Sequence, residues 1–481
     1  MIALTAAEVA AAAGGSVGAG TDPGALVTAD PVVDSRLATP GALFVAVAGE
    51  TSDGHDYVGA AFGGGASLAL VSRPVDGPHV LVEDTVVALG ELAREVLRRL
   101  RETGPIRVVG ITGSVGKTST KDLLGQVLAR HAPTIAPVAS FNNEIGLPLT
   151  VLRADEATRY LVLEMGASGI GHIEYLTRIA PLDVAVVLMV GHAHLGGFGG
   201  IEAVARAKAE IVEGLVPDGT AVLNADDPRV AAMADVAPAE VVFFGAGDGA
   251  HVRAVDVALD PGGRATFTLH AEGERHPVGL LVVGEHHVSN ALAVASAAIA
   301  LGVPPADAAA ALGEARAISP HRMHVVERAD GVTIIDDAYN ANPDSTRAAL
   351  RALAAMAGAD RRSVAVLGEM LELGDESEAA HDAVGRLAVD LAIDRLVVVG
   401  EGAAAIGSGA IEHGLRAGDV VQVETVAAAA DLLAQDLQAG DVVLVKSSHG
   451  SGLWQLGDVL ATPSDEGPDA AAASADEAGP A

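Results

Sequence analysis

Arg107-Val-Val-Gly-Ile-Thr-Gly-Ser-Val-Gly-Lys-Thr-Ser119 is the stretch on which the reading of this chain depends. The β-branched run Val108 to Thr112 predicts a buried strand. The turn Gly113-Ser114-Val115-Gly116 follows, then Lys117 and Thr118. A helical pattern continues through Leu123, Leu124, Val127 and Leu128. A strand, a glycine turn and a helix N-terminus make an anion site, because backbone N–H groups and the helix dipole face the same point. In such a loop the lysine reaches the β- and γ-phosphates and the hydroxyl of Thr118 holds Mg²⁺. The full Walker pattern would place a glycine at 111, where Ile111 stands, so the loop is the shorter Thr-Gly-Ser-x-Gly-Lys-Thr form. Thr112, Gly113, Ser114, Val115, Gly116, Lys117, Thr118 and Ser119 are therefore the expected nucleotide cradle.

Around this loop lies a chain of 481 residues, half of them hydrophobic, with aromatics at only 2%. The length suggests about three domains. A net charge of −33 argues against a nucleic-acid backbone or an anionic membrane as partner. It leaves room for phosphate ligands, which local geometry holds. With no cysteine, a disulfide framework, a thiolate metal site and a cysteine nucleophile are excluded. No apolar run approaches the ~18 residues of a membrane span. The first residues carry no basic segment, and Thr5 and Glu8 form a capping box, so a helix is expected there rather than a signal peptide. A cytoplasmic protein with no membrane insertion fits this pattern.

Four segments follow from the alternation of strands, helices and breaks. Residues 1–102 carry strand-like runs at 42–47, 68–71 and 80–82 and a helix at 86–100. Residues 103–314 alternate strands at 108–112, 160–164, 184–190, 221–224 and 241–244 with helices at 118–130, 170–179 and 201–214. That pattern predicts a mostly parallel sheet covered on both faces. Antiparallel β is expected over 252–283, then a helix from 288 to 301 ended by Pro304-Pro305. Residues 315–460 carry strands at 332–336, 364–367, 396–399 and 442–445 with helices between, a Rossmann-like pattern without a glycine fingerprint. Residues 461–481 hold Ala, Pro, Ser, Asp and Glu with no basic residue, and are expected to be disordered.

Ligands of open α/β sheets bind at the carboxyl ends of the strands. Glu164 ends one strand, His194 follows another, and Lys208 lies in the next helix. A carboxylate beside a phosphate loop suits Mg²⁺, a hard ion that takes oxygen ligands. In the third segment, Ile335-Asp-Asp-Ala-Tyr-Asn-Ala-Asn-Pro-Asp-Ser345 ends a strand in two carboxylates and a polar turn. A site there competes with a plain helix start capped by Asp344 or Ser345.

These residues resemble the Mur ligase family. The similar stretches run through nearly the whole chain: Asp34-Ser-Arg36, Asp53-Gly-His55, the phosphate loop, Asn142-Asn-Glu-Ile-Gly146, Glu164-Met-Gly166, Ala207-Lys-Ala-Glu-Ile211, Asn290-Ala-Leu292, Asp336-Asp-Ala-Tyr-Asn-Ala-Asn-Pro343 and Gly368-Glu-Met-Leu-Glu-Leu-Gly374. The Asn142-Asn-Glu-Ile-Gly146 and Tyr339-Asn-Ala-Asn-Pro343 stretches are similar to the branch that adds D-alanyl-D-alanine to UDP-N-acetylmuramoyl-tripeptide. The resemblance implies an α/β protein of three-domain Mur ligase architecture, with a UDP-sugar domain, a central P-loop parallel-sheet domain and a Rossmann-like ligase domain. It implies an ATP-dependent amide ligase that passes through an acyl phosphate, and a monomer is expected.

By residue, the resemblance implies Lys117, Glu164, His194, Lys208 and Arg322 for catalysis. Thr118, Glu164, His194 and a carbamylated Lys208 would hold Mg²⁺. Asn290, Arg322 and Asp337 would contact adenine, γ-phosphate and ribose. Ser35 and Arg36 would face the uridine end, and Asn142, Asn143, Asn340 and Asn342 the peptide substrates. Met189, Gly196 and His449 depart from the family pattern. The competing expectations are another Mur ligase, a folylpolyglutamate synthase-like ligase, or a nucleotide-binding relative without catalysis.

Overall fold

The computed structural model describes residues 1–49, 51–137, 140–191 and 199–461. Three sheets carry the fold, and the central one is built on the stretch quoted above. Its nine strands run in the order 274–283, 264–271, 252–259, 240–245, 215–224, 182–187, 107–112, 160–164 and 134–135. The seven strands from Val252–Leu259 to Thr134–Ile135 pair in parallel, and the last two hairpins are antiparallel. This matches the expected parallel sheet with an antiparallel extension. Arg107–Thr112 is buried on both faces from Val108 onward, as a continuous apolar run in a parallel sheet requires.

Register places the chemistry. Ile111 lies opposite Glu164 and Thr112 opposite Val187, so the glycine turn leaves the sheet level with Glu164. Asp183 locks the other end of these strands. Its carboxylate accepts from the Val108 N–H at 2.8 Å, from Arg101 at 2.8 Å and from Arg107 at 2.9 Å.

The first sheet has four strands in the order 16–17, 79–81, 68–71, 43–45. The capping box at Thr5 and Glu8 forms as expected and starts the helix Ala6–Ala12. His55 ties the turn after Asp53 to the sheet: Nδ1 lies 2.6 Å from Asp53 and Nε2 accepts the Ser72 N–H at 2.9 Å. The helix expected at 86–100 runs Thr85–Thr103, capped by Asp84. Leu89, Leu92, Val96 and Leu97 bury into one apolar cluster that also contains Val108, Leu161 and Leu176. The core is therefore continuous across residue 102. We expect Leu92→Ala to lower the unfolding free energy by about 2–5 kcal/mol. A denaturant melt following both segments should show them losing stability together.

The third sheet has the order 324–327, 333–336, 442–446, 363–367, 395–399, 420–423. Only the first pair is antiparallel. The strands His324–Glu327 and Val420–Val423 escape the sequence reading because each has a weak, half-exposed apolar pattern. Pro304-Pro305 was expected to end a helix. That helix, His287–Ala300, ends earlier, and Pro305 instead opens the helix Pro305–Leu312. The helix after the third-sheet turn is capped by Asn342, not by Asp344 or Ser345: Asn342 Oδ1 accepts the Ser345 N–H at 2.9 Å. No described helix is long and apolar enough to cross a membrane. The tail expected to be disordered lies outside the described residues beyond 461.

Candidate active site

The helix Lys117–Ala129 begins at Gly116, whose φ of +84° is the left-handed region, and no side chain caps it. Its first N–H groups are thus left for a ligand. The Cβ that Gly116 lacks would lie 2.6 Å from Asn290 Oδ1, so the glycine also lets the Asn290 amide approach the loop. Gly116→Ala should cost about 1–2 kcal/mol in backbone strain alone. We expect a lowered melting temperature and weakened nucleotide binding, read by calorimetry.

The expected cradle residues divide in two. Lys117 Nζ donates to the Gly113 carbonyl at 2.9 Å, folded back over its own loop. Thr118 and Glu164 meet directly, Oγ1 to Oε2 at 2.9 Å. Thr112 and Ser114 instead brace the loop. Thr112 Oγ1 donates to the Met165 carbonyl at 2.8 Å, and the Ser114 N–H donates to the Met189 carbonyl at 2.9 Å. Ser114 Oγ also accepts the Gly191 N–H at 2.8 Å. Val115 and Ser119 are half-buried at the loop.

Glu164 is buried and its second oxygen, Oε1, accepts from Ser140 Oγ at 2.7 Å and Asn142 Nδ2 at 2.9 Å. Burial alone would raise its pKa. Lys117, Arg322 and these hydrogen bonds outweigh burial and hold the carboxyl below its ordinary range. Lys117 is shifted downward, first by burial and then by Arg322, against the pull of Glu164. Lys208 is buried in the helix Ile201–Glu213, and desolvation followed by the Lys117 charge pushes it well below the ordinary lysine value. His194 lies outside the described residues, as does Gly196.

The third segment closes on this centre. Arg322 lies 4.1 Å over the ring of Tyr339, and its charge acts on Glu164 and Lys117. Its Nε is buried with no hydrogen-bond partner among the described residues. A buried, unsatisfied guanidinium nitrogen beside an uncapped helix and a Thr–Glu pair suits a nucleotide triphosphate with Mg²⁺. Asn342 Nδ2 reaches the Ser114 carbonyl at 3.5 Å.

Several expected residues are already engaged. Asp337 pairs with Lys446 at 2.6 Å and accepts the Met323 N–H at 3.1 Å. His286 faces that pair and is pushed down to about 4, chiefly by burial. Asn142 turns inward to Glu164, while Asn143 Oδ1 accepts the Gly146 N–H at 2.8 Å. Asn340 is exposed, with Oδ1 on the Ala341 N–H. Arg36 pairs with Asp34 at 2.7 Å in the turn Ser35–Leu37 of the first segment.

Among the departures, His449 sits between Tyr339 and Trp454, stacked at 5.8 Å and 11° on the latter. Burial and the nearby His321 and Arg322 charges lower its pKa, so it is a neutral spacer there. Met189 contributes its carbonyl to Ser114, and Asn224 supplies a side-chain amide one residue away, on the Leu188 carbonyl at 2.8 Å. Sequence reasoning missed Ser140, Tyr339, Lys446 and His286. Tyr339 stood inside a quoted motif and Ser140 beside one, but nothing local shows that a tyrosine will carry an arginine.

A phosphate loop, a strand-end carboxylate and a closing arginine from a second α/β unit define a nucleotide-binding protein of the P-loop type. The match to known proteins is direct: residues 111–298 fit the Mur ligase middle domain and residues 321–449 the Mur ligase glutamate ligase domain. The chain belongs to the Mur ligase family. It is 45% identical to UDP-N-acetylmuramoyl-tripeptide–D-alanyl-D-alanine ligase of Mycobacterium tuberculosis, over 96% of this chain and 98% of that one. It is 37% identical to the Escherichia coli ligase of the same name, over 81% of this chain and 86% of that one. The crystal structure of MurF from Acinetobacter baumannii matches with a TM-score of 0.84 and 33% identity, over 96% and 99% of the two chains. That of MurF from Thermotoga maritima in complex with ADP matches with a TM-score of 0.77 and 31% identity, over 90% and 97%.

Proposed function

We propose that this chain joins D-alanyl-D-alanine to UDP-N-acetylmuramoyl-tripeptide at the expense of ATP, giving ADP and phosphate, as a monomer in cytoplasmic peptidoglycan precursor synthesis. The observation that carries the reading is the meeting of Lys117, Thr118, Glu164 and Arg322 at one strand end, under relatives of that activity aligned over nearly the whole chain.

Two anions must meet in the first step, the tripeptide carboxylate and the γ-phosphate, so the site must supply positive charge. Lys117 does so from the loop and Arg322 from the third segment. Thr118 and Glu164 would hold Mg²⁺, with His194 and a carbamylated Lys208 near a second ion; when bound, the metal neutralises charge between the reacting groups. The neutral amine favoured by the burial of Lys208 is the form that adds to carbon dioxide, losing a proton as the N–C bond forms. The carboxylate oxygen attacks the γ-phosphorus and ADP leaves. The amine of D-alanyl-D-alanine then attacks the acyl carbon, and phosphate departs through a tetrahedral intermediate. Ser35 and Arg36 would face the uridine end, Asn290 the adenine, and Asn142, Asn143, Asn340 and Asn342 would border the peptide path. Asp337 would reach the ribose with Lys446 behind it.

The test is phosphate release from ATP with UDP-N-acetylmuramoyl-tripeptide present, D-alanyl-D-alanine added or omitted. Strong release only with both substrates is expected. Release driven by a different amino acid would move the chain to a sister ligase, and ATP binding without release under any pairing would make it non-catalytic.

A further inference from the structure

Between the central and third sheets the chain changes attachment within three residues. Up to Ser319 it is bound to the helix Lys117–Ala129, whose N-terminus is the phosphate loop. Gln126 grips the Arg316 backbone at both ends, Oε1 accepting its N–H at 3.0 Å and Nε2 donating to its carbonyl at 2.8 Å. Asp122 Oδ2 accepts the Ser319 N–H at 3.1 Å. Asp122 and Lys121 are both buried and pair at 2.7 Å, and Lys121 also donates to the Pro137 carbonyl. Among the described residues, none of these hydrogen bonds involves Lys117, Thr118, Glu164 or Arg322.

From His321 onward the chain belongs to the third sheet. His321 Nδ1 lies 2.6 Å from Asp336 Oδ2, and the His321 carbonyl accepts the Tyr339 N–H at 3.2 Å. The Met323 N–H goes to Asp337. Only Pro320, exposed, stands between the two anchors. Proline fixes its own φ. His321 has φ +54°, a left-handed conformation that is uncommon for a residue other than glycine. Arg322 follows at once.

We propose that Asp122, Gln126 and His321 are positioning residues that set where Arg322 lies relative to Lys117 and Glu164. The two anchors act in series. The first fixes the linker to the helix that carries Lys117 and Thr118. The second fixes the outgoing backbone to the end of the strand Thr333–Asp336 and to Asp337 just beyond it. Between them, few torsions are free to aim Arg322. The inference rests on the reading above that Arg322 serves the γ-phosphate.

The experiment is steady-state ligation by the full chain, with kcat and the KM for ATP determined separately, and melting temperature as a control. His321→Asn keeps an acceptor or donor for Asp336 and tolerates positive φ. His321→Gly keeps only the backbone, and His321→Val keeps neither. We expect kcat to fall in the order wild type, Asn, Gly, Val, reaching about 10²-fold in His321→Val, because a shift of about 1 Å in a charged group costs that much. The KM for ATP should stay within about threefold, since the loop itself is intact. Gln126→Ala, on a partly exposed position, should lower kcat with little change in melting temperature. Combined with His321→Gly, it should show non-additive effects on kcat. Wild-type kcat in both His321→Val and Gln126→Ala overturns the inference, as does a strictly additive double variant. Should His321→Val not fold, Gln126→Ala and the double variant decide. Failure of the ligase reading is separate: it appears as no acceptor-dependent phosphate release in the wild type.

Discussion

Replacing Lys208 with alanine is expected to lower ligation by about 10³-fold or more, the scale of losing one preorganised charged group in a water-poor site. Nucleotide binding should survive. Lys208 lies in the helix Ile201–Glu213 with 5% exposure, and its ammonium form is disfavoured by burial and by Lys117. A cation there would repel both Lys117 and Mg²⁺. A carbamate would reverse that sign and offer oxygen, the ligand Mg²⁺ takes. The structural alternative is a lysine buried only for packing. It predicts a stability loss without a selective loss of turnover. Phosphate release and nucleotide titration on Lys208→Ala, with and without added formate, separate the two. Full turnover in the variant without any added carboxylate would refute the carbamate role, and partial recovery with formate would support it.

Glu164→Gln is expected to lower kcat/KM by about 10²–10³-fold and to remove most of the dependence on Mg²⁺. The substitution preserves shape, so Ser140 and Asn142 still find an acceptor, but it removes the charge that balances Lys117 and Arg322. Binding of metal-free nucleotide should not weaken, because those two cations then face the phosphates unopposed. The same charge sets a pH dependence. The folded-state pKa of Glu164 is depressed, so its contribution to stability is present above the unfolded value of about 4.3 and is lost as pH falls through the folded pKa. Melts on the acid side should therefore show wild type losing an increment of stability that Glu164→Gln does not have to lose. Mg²⁺ titration of phosphate release checks the first half. An unchanged metal dependence would remove Glu164 from the metal site.

Much of this site was readable because its signals are local. Val108 to Thr112, Gly116 and Lys117 lie within ten residues, and a strand followed by a glycine turn and a helix leaves the chain little choice about where the N–H groups point. Glu164 was readable as a strand end, and register then set it level with Ile111. The contacts that were not readable share one cause. Thr112 and Ser114 look like phosphate ligands in a motif, but their hydroxyls are consumed by Met165 and Gly191, residues 53 and 77 positions away. Asn342, expected beside the dipeptide, caps its own helix and reaches back to Ser114 across 228 positions.

The sequence by itself determined the alternating α/β pattern, the phosphate loop, the strand-end Glu164 and the family, since each depends on neighbours along the chain and on hydrophobic period. The tertiary structure alone decided which polar groups are spent on one another. Lys446 meets Asp337 from 109 positions away, Asp122 holds Ser319 from 197, and Arg322 finds Tyr339 as its platform. The physical reason is that a buried polar group must find a partner wherever packing brings one. Packing across three sheets is a property of the whole fold, and no spacing in the chain encodes it.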